Sequence, residues 1–199
     1  MKNFENKVAV ITGGNSGIGY ATAKTLSEQG ATVVITGRRK AAVEKAASEL
    51  NVSGLMADQS RLGDIDQLVA QVGAKFGKID ILLINAGISK TGMIEAMDET
   101  AFDEIMNVNF KGAYFTLSRF IPLLKENASV VLLSSTSATM SPQSASVYAA
   151  SKAAINAVSK IAALELSSRK IRVNAVSPGP IATEIMDKLG LDDAMEQQI

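Results

Sequence analysis

Cysteine, histidine and tryptophan are all absent from these 199 residues. Without cysteine there is no disulfide and no thiolate nucleophile, and without histidine there is no triad built on an imidazole base. Any metal would have to be a hard ion held by oxygen ligands, and none is expected. Acid and base chemistry therefore falls to Tyr, Lys, Asp or Glu, none of which has an unperturbed pKa near neutrality. An excess of either charge is missing too: twenty Lys and Arg balance twenty Asp and Glu. That balance gives no sign of a nucleic-acid or anionic-membrane surface. No apolar run reaches bilayer-spanning length. The first residues, Met1-Lys2-Asn3-Phe4-Glu5-Asn6-Lys7, lack the apolar core of a signal peptide and run directly into a strand pattern. The expectation is a cytoplasmic protein with neither nucleic acid nor membrane among its partners.

What remains, 47% hydrophobic and 20% charged, suits one soluble domain over 1–199 with a continuous core. Short β-rich runs at 8–12, 32–36, 79–84, 129–133 and 171–176, with a weaker one at 54–57, alternate with helical patterns at 17–29, 40–50, 62–76, 100–125 and 146–168. Most of the strand runs are apolar at successive positions, as in parallel strands covered on both faces. Alternation with right-handed crossovers predicts a doubly wound α/β sheet, helices on both faces.

Two local patterns suggest chemistry. Tyr148-Ala-Ala-Ser-Lys152 puts a phenol and an amine on one helical face. There the ammonium can favour the ionised phenol. Bringing a tyrosine from ~10 to near neutrality takes about 4 kcal/mol of preference for the phenolate. Taken alone, such a pair is ordinarily surface packing. The second pattern is Thr12-Gly13-Gly14-Asn15-Ser16-Gly17-Ile18-Gly19, between the first strand and the first helix. Glycines there let the backbone approach a pyrophosphate, and the helix N-terminus offers free N–H groups and positive potential. The spacing is Gly-x-x-x-Gly-x-Gly rather than Gly-x-Gly-x-x-Gly.

With Asn85-Ala86-Gly87, Asn109, Ser135 and Pro178-Gly179-Pro180-Ile181-Ala182-Thr183 in the same order, the chain resembles the short-chain dehydrogenase/reductases of the ordinary, non-extended branch. Individually these are a strand-end turn, a buried Asn, one loop serine among several and a β-turn. Together, in register over essentially the whole chain, they imply a Rossmann-like fold and an oxidoreductase interconverting a carbonyl and a secondary alcohol. The resemblance makes Tyr148 the general acid or base, with Lys152 lowering its pKa and binding the nicotinamide ribose. Ser135 would bond the substrate oxygen, and Asn109 would kink its helix and hold a water linking Lys152 to solvent. Ser134 and Asn107 are their neighbouring decoys.

For the cofactor, the resemblance assigns the loop residues Gly13, Asn15, Ser16, Gly17, Ile18 and Gly19, then Asn85, Ala86 and Gly87, and at the nicotinamide end Pro178, Gly179, Ile181 and Thr183. Arg38 and Arg39 follow the second strand where an NAD site would carry an acid, so NADP(H) is expected in preference to NAD(H). Asp58 matches the family residue that contacts the adenine amino group, and it equally suits a cap at the next helix. Substrate recognition would come from 88–97, 136–147 and the stretch after Thr183. Met93, Met97, Met140, Met186 and Met195 there suit a pliable apolar pocket or simple packing. Family members continue through another helix and a seventh strand, so the expectation is a truncated chain lacking that last strand. A homo-oligomer is implied, and Ala149, Ala150, Ala153, Ala154 and Ala157 suit either a close helix contact with a second copy or packing on the sheet. The alternative reading is a catalytically silent NADP(H)-binding regulator or an inactive truncated fragment.

Overall fold

The structure, a computed structural model, describes residues 3–181. Thr183, Met186 and Met195 lie outside the described residues. Six strands, β1 (Val8–Thr12), β2 (Thr32–Gly37), β3 (Ser53–Met56), β4 (Ile79–Ile84), β5 (Leu124–Leu133) and β6 (Arg172–Val176), form one sheet in the order β3-β2-β1-β4-β5-β6. Every pair is parallel. The helices are α1 (Gly17–Glu28), α2 (Lys40–Leu50), α3 (Leu62–Phe76), α4 (Glu99–Met106), α5 (Ala113–Phe120), α6 (Ser137–Met140) and α7 (Ser146–Glu165).

Strand order reverses direction of travel between β1 and β4, and a ligand crevice forms at that switch point beyond the strands' C-terminal ends. One apolar cluster, including Ile11, Val33, Ile35, Val43 and Ala47, lies on the α1–α2 face. A larger one, including Leu82, Val130, Leu132, Phe120 and Ile155, lies on the face covered by α3, α5 and α7. Helices therefore cover both faces, and the near-continuous apolar strands follow from that. Among the described residues no helix is long and apolar enough to cross a membrane.

The predicted helix over 100–125 is corrected in two ways. Its regular winding is broken at Asn107–Gly112, which forms π-helix, and it ends at Phe120 before a single 3-10 turn over Ile121–Leu123. Pro122 has no N–H to continue the helix and fits the start of that short turn. β5 then begins at Leu124, five residues before the apolar run that marks it in the sequence. Its register against β4 shifts between Ile79 and Ile81, and Asn127 takes a positive φ of 64° in the displaced stretch. Charged Lys125 and Glu126 hide this strand start from a hydrophobicity pattern.

The alanine run on α7 points outward more than inward. Ala150, Ala153 and Ala157 are exposed, while the sheet-facing side is carried by Val147, Ser151, Lys152, Ile155, Ser159 and Ala162. Packing on the sheet therefore does not explain those three alanines.

Candidate active site

The glycine-rich turn is shaped by close approach. A Cβ on Gly19 would lie 2.3 Å from the Gly13 carbonyl oxygen and 2.6 Å from Asn85 Nδ2. Gly13 itself has φ +63°, where a side chain is strained. The turn is tied to its neighbours: Gly14 N donates to Thr36 O at 3.0 Å, and Asn85 Nδ2 donates to Thr12 O and Gly13 O, both at 3.0 Å. Thr12 Oγ1 in return accepts from the backbone N–H of Asn85 and of Ala86 at 3.0 Å each. Asn85 thus locks the exit of β4 to the turn after β1. Ser16, at the N-cap of α1, makes no side-chain capping bond, so the first-turn N–H groups keep their capacity for an anion.

A cleft of about 400 Å³ runs along this turn and is lined by Asn15, Ser16, Arg38, Asp58, Ala86 and Gly87, among others. Gly13, Gly17, Ile18, Arg39 and Asn85 also line it, whereas Gly19, Tyr148, Lys152, Pro178, Gly179 and Ile181 do not. Asp58 Oδ1 accepts from Ser60 N at 2.9 Å and Ser60 Oγ at 2.8 Å, which fixes the turn ahead of α3. The N-cap position of α3 is Arg61, so Asp58 shapes the approach to the helix rather than capping it.

Beyond Gly87 and Leu133, which line the cleft, α7 presents Tyr148, Ser151 and Lys152 on one face. Ser135, just past β5, shares a side-chain hydrogen bond with Tyr148 and accepts another from Ser137 N at 3.1 Å. Ser134 turns elsewhere, donating from Oγ to Lys152 O at 3.1 Å. The two adjacent serines thereby have different partners. Lys152 is only 4% exposed; its Nζ lies 5.7 Å from the centre of the Tyr148 ring and donates to Leu133 O at 2.8 Å.

Burial pushes the Lys152 ammonium down to about 8. Burial also pushes the Tyr148 phenol above its ordinary value, with the Ser135 hydrogen bond acting the other way. In the protein by itself desolvation outweighs the Ser135 hydrogen bond.

Asn109 is buried, and its side chain is fully engaged. Oδ1 accepts from Ile88 N at 2.8 Å, and Nδ2 donates to Ile88 O at 2.8 Å and to Ser151 Oγ at 3.2 Å. Ser151 Oγ then donates to Tyr148 O at 2.7 Å. The helix distortion expected at Asn109 is the π segment. With the amide so occupied, any water held here must use backbone groups. Gly87 closes the gap between the two groups: a Cβ on it would lie 3.3 Å from Asn109 Oδ1 and 3.4 Å from Lys152 Nζ.

Thr136 N donates to Pro178 O at 3.0 Å and Ser134 N to Val176 O at 2.8 Å, so the turn after β6 lies beside Ser135. Gly179 has open space where a side chain would stand, and Ile181 is exposed near Gly17 and Ile18. The two described substrate segments meet through Gly92 N donating to Ser144 O at 2.8 Å. Met93, Ile94, Ala138 and Pro142 line a cavity of about 470 Å³ there, but Tyr148 and Ser135 do not. Met93 and Met140 are largely exposed. Sequence reasoning missed Thr12, Gln59 and Ser151. Thr12 and Ser151 stand inside the quoted motifs, whereas nothing in the sequence marks Gln59.

A parallel sheet of this order with a glycine turn at its switch point, and Ser135, Tyr148, Lys152 and Asn109 grouped beside Gly87 and Leu133, is an arrangement suited to a dinucleotide-dependent oxidoreductase. The chain belongs to the short-chain dehydrogenases, whose family model matches residues 7–194. Among curated relatives it is 37% identical over 189 residues to an oxidoreductase, asL5, of Sarocladium schorii, covering 93% of this chain and 76% of that one. It is 35% identical over 193 residues to the 3-oxoacyl-[acyl-carrier-protein] reductase FabG of Thermotoga maritima, covering 94% and 78%. A similar solved structure is the 3-ketoacyl-(acyl-carrier-protein) reductase of Brucella melitensis complexed with NADH, with a TM-score of 0.89, 37% identity, and 93% and 80% of the two chains covered.

Proposed function

We propose that the protein is an NADP(H)-dependent reductase or dehydrogenase that interconverts a small-molecule carbonyl and its secondary alcohol, with Tyr148 as acid and base. The observation that carries this reading is the grouping of Ser135, Tyr148, Lys152 and Asn109 beside Gly87 and Leu133, two residues that line the glycine-turn cleft. The residues fit a dinucleotide: the Gly13–Gly19 approach leaves no Cβ in the way, and the α1 N-terminus lacks a competing side-chain cap. The bound nicotinamide supplies or accepts the hydride. In reduction, Ser135 Oγ bonds the substrate oxygen and stabilises the charge growing there, while Tyr148 gives its phenolic proton to that oxygen. Lys152 sits beside the phenolate that results and opposes the desolvation that otherwise raises the tyrosine. In oxidation the same proton returns to Tyr148.

Arg38 supports the 2′-phosphorylated form of the cofactor. It lines the cleft directly after β2, and Gly37, the strand's last residue, brings no carboxylate to repel a phosphate. Its neighbour Arg39 lines the same wall. A homo-oligomer is part of this reading, supported by the exposed Phe102, Tyr114, Ile161 and Leu164 on the helical face.

The test is oxidation of NADPH and of NADH against a panel of ketones, ketoacyl thioesters, sugars and steroids. The reading expects turnover of at least one carbonyl with kcat/KM for NADPH about a hundredfold above NADH, narrowed about tenfold or more in Arg38→Ser. Equal use of both cofactors overturns the assignment of Arg38, and binding without turnover across the panel favours a silent nucleotide-binding regulator.

A further inference from the structure

We infer that Gln59 is a positioning residue that ties the nucleotide end of the cleft to the turn of α7 carrying Tyr148. This rests on the acid/base assignment of Tyr148 above. Gln59 is 7% exposed and lies just after β3, where its Nε2 donates to Ala86 O and to Val108 O at 3.0 Å each. Those carbonyls belong to two different segments: the turn after β4, which lines the nucleotide cleft, and the π segment. A π turn shifts carbonyls out of ordinary helical register, and Val108 O receives its donor from a distant side chain.

The orientation of the amide follows from its partners. Two carbonyl oxygens require the NH2 side, which leaves Gln59 Oε1 as the single buried side-chain polar atom without a partner among the described residues. A buried acceptor left unmade is unfavourable. An apolar side chain would avoid it but would abandon both carbonyls. Gly112 adds a second contact at the same place: a Cβ there would lie 2.1 Å from the Gln59 carbonyl oxygen, so the π segment presses directly on this residue's backbone.

The connection continues by covalent and hydrogen bonds. Val108 precedes Asn109, Asn109 Nδ2 donates to Ser151 Oγ, and Ser151 Oγ donates to Tyr148 O. Displacing the π segment therefore displaces the turn from which the phenol projects. Loss of the two Gln59 donors is expected to lower kcat rather than weaken substrate binding, because small misplacement of a reacting group acts mainly on the chemical step.

The chain has three tyrosines and no tryptophan, so tyrosinate absorbance, corrected with Tyr148→Phe, follows the Tyr148 phenol without any need for turnover. Gln59→Met keeps length and shape and removes both donors; Gln59→Leu is the second variant. The expected result is a folded Gln59→Met whose Tyr148 titration midpoint moves, with kcat about tenfold lower and KM for the carbonyl within about twofold. A moved midpoint in Gln59→Met, beside a wild type that reduces no carbonyl, would support the positioning role and reject the proposed activity. An unmoved midpoint in folded Gln59→Met overturns the inference whatever the activity. Failure of both variants to fold also overturns it, by assigning Gln59 to stability alone.

Discussion

Lys152 donates from Nζ to the Leu133 carbonyl oxygen over 2.8 Å, bridging α7 and the end of β5. One hydrogen bond does not replace the hydration of an ammonium, so burial holds this lysine near 8 instead of 10.5. The folded chain therefore binds fewer protons than the unfolded one between those values, and stability rises with pH across that window. Below pH 8 the cost is about 3 kcal/mol. Thermal unfolding of wild type and Lys152→Met from pH 7 to 10 is expected to show the wild type gaining on the variant as pH rises. A constant gap would contradict the burial cost.

Asp80 presents the opposite sign. Burial would raise its carboxyl, but hydrogen bonds from Lys125 Nζ at 2.7 Å, Val8 N at 3.0 Å and Lys7 Nζ at 3.2 Å hold it below 3.8. This contribution is present above the unfolded value and lost as pH falls through the folded one. Asp80→Asn should cost about 1–3 kcal/mol at pH 7 in urea unfolding. Acidification below about pH 4 should shrink the difference from wild type.

Ser134 and Ser135 are adjacent and should respond differently. Ser135→Ala is expected to lower kcat about a hundredfold or more with little change in unfolding midpoint. Ser134→Ala removes a bond to Lys152 O and should cost about 1 kcal/mol of stability with activity largely kept. Steady-state kinetics beside thermal unfolding separates them, and equal kinetic losses would reject Ser135 as the substrate contact.

Gly19→Ala places a methyl against the Gly13 carbonyl oxygen and Asn85 Nδ2, both parts of a rigid turn. NADPH affinity measured by nicotinamide fluorescence should fall about tenfold or more, with about 1–3 kcal/mol lost from stability. Wild-type affinity in this variant would mean the turn does not cradle the cofactor.

Much of this arrangement was readable because it depends on local rules. The glycine turn needs conformations and clearances that only glycine provides, and Tyr148 and Lys152 share a face by helical period alone. The strands were visible because both faces are covered. What the sequence concealed depends on partners far along the chain. β5 begins among Lys125 and Glu126 because backbone pairing to Ile79, rather than apolar side chains, defines its start. The choice between Ser134 and Ser135 depends on which one meets the Tyr148 phenol and which one the Lys152 backbone carbonyl. Gln59 looks like any polar residue in a turn until Ala86 and Val108 converge on its amide. Helical spacing likewise reveals the ammonium near Tyr148 but not the extent of burial around the phenol.

The central claim is that Tyr148 transfers the proton that accompanies hydride transfer. Single-turnover oxidation of NADPH with a carbonyl substrate, comparing wild type with Tyr148→Phe, tests it most directly. The account predicts that the variant still binds NADPH within about threefold of wild type while the chemical step slows by about a thousandfold or more, since the phenol stands beside Ser135. Turnover by Tyr148→Phe at the wild-type rate would contradict it.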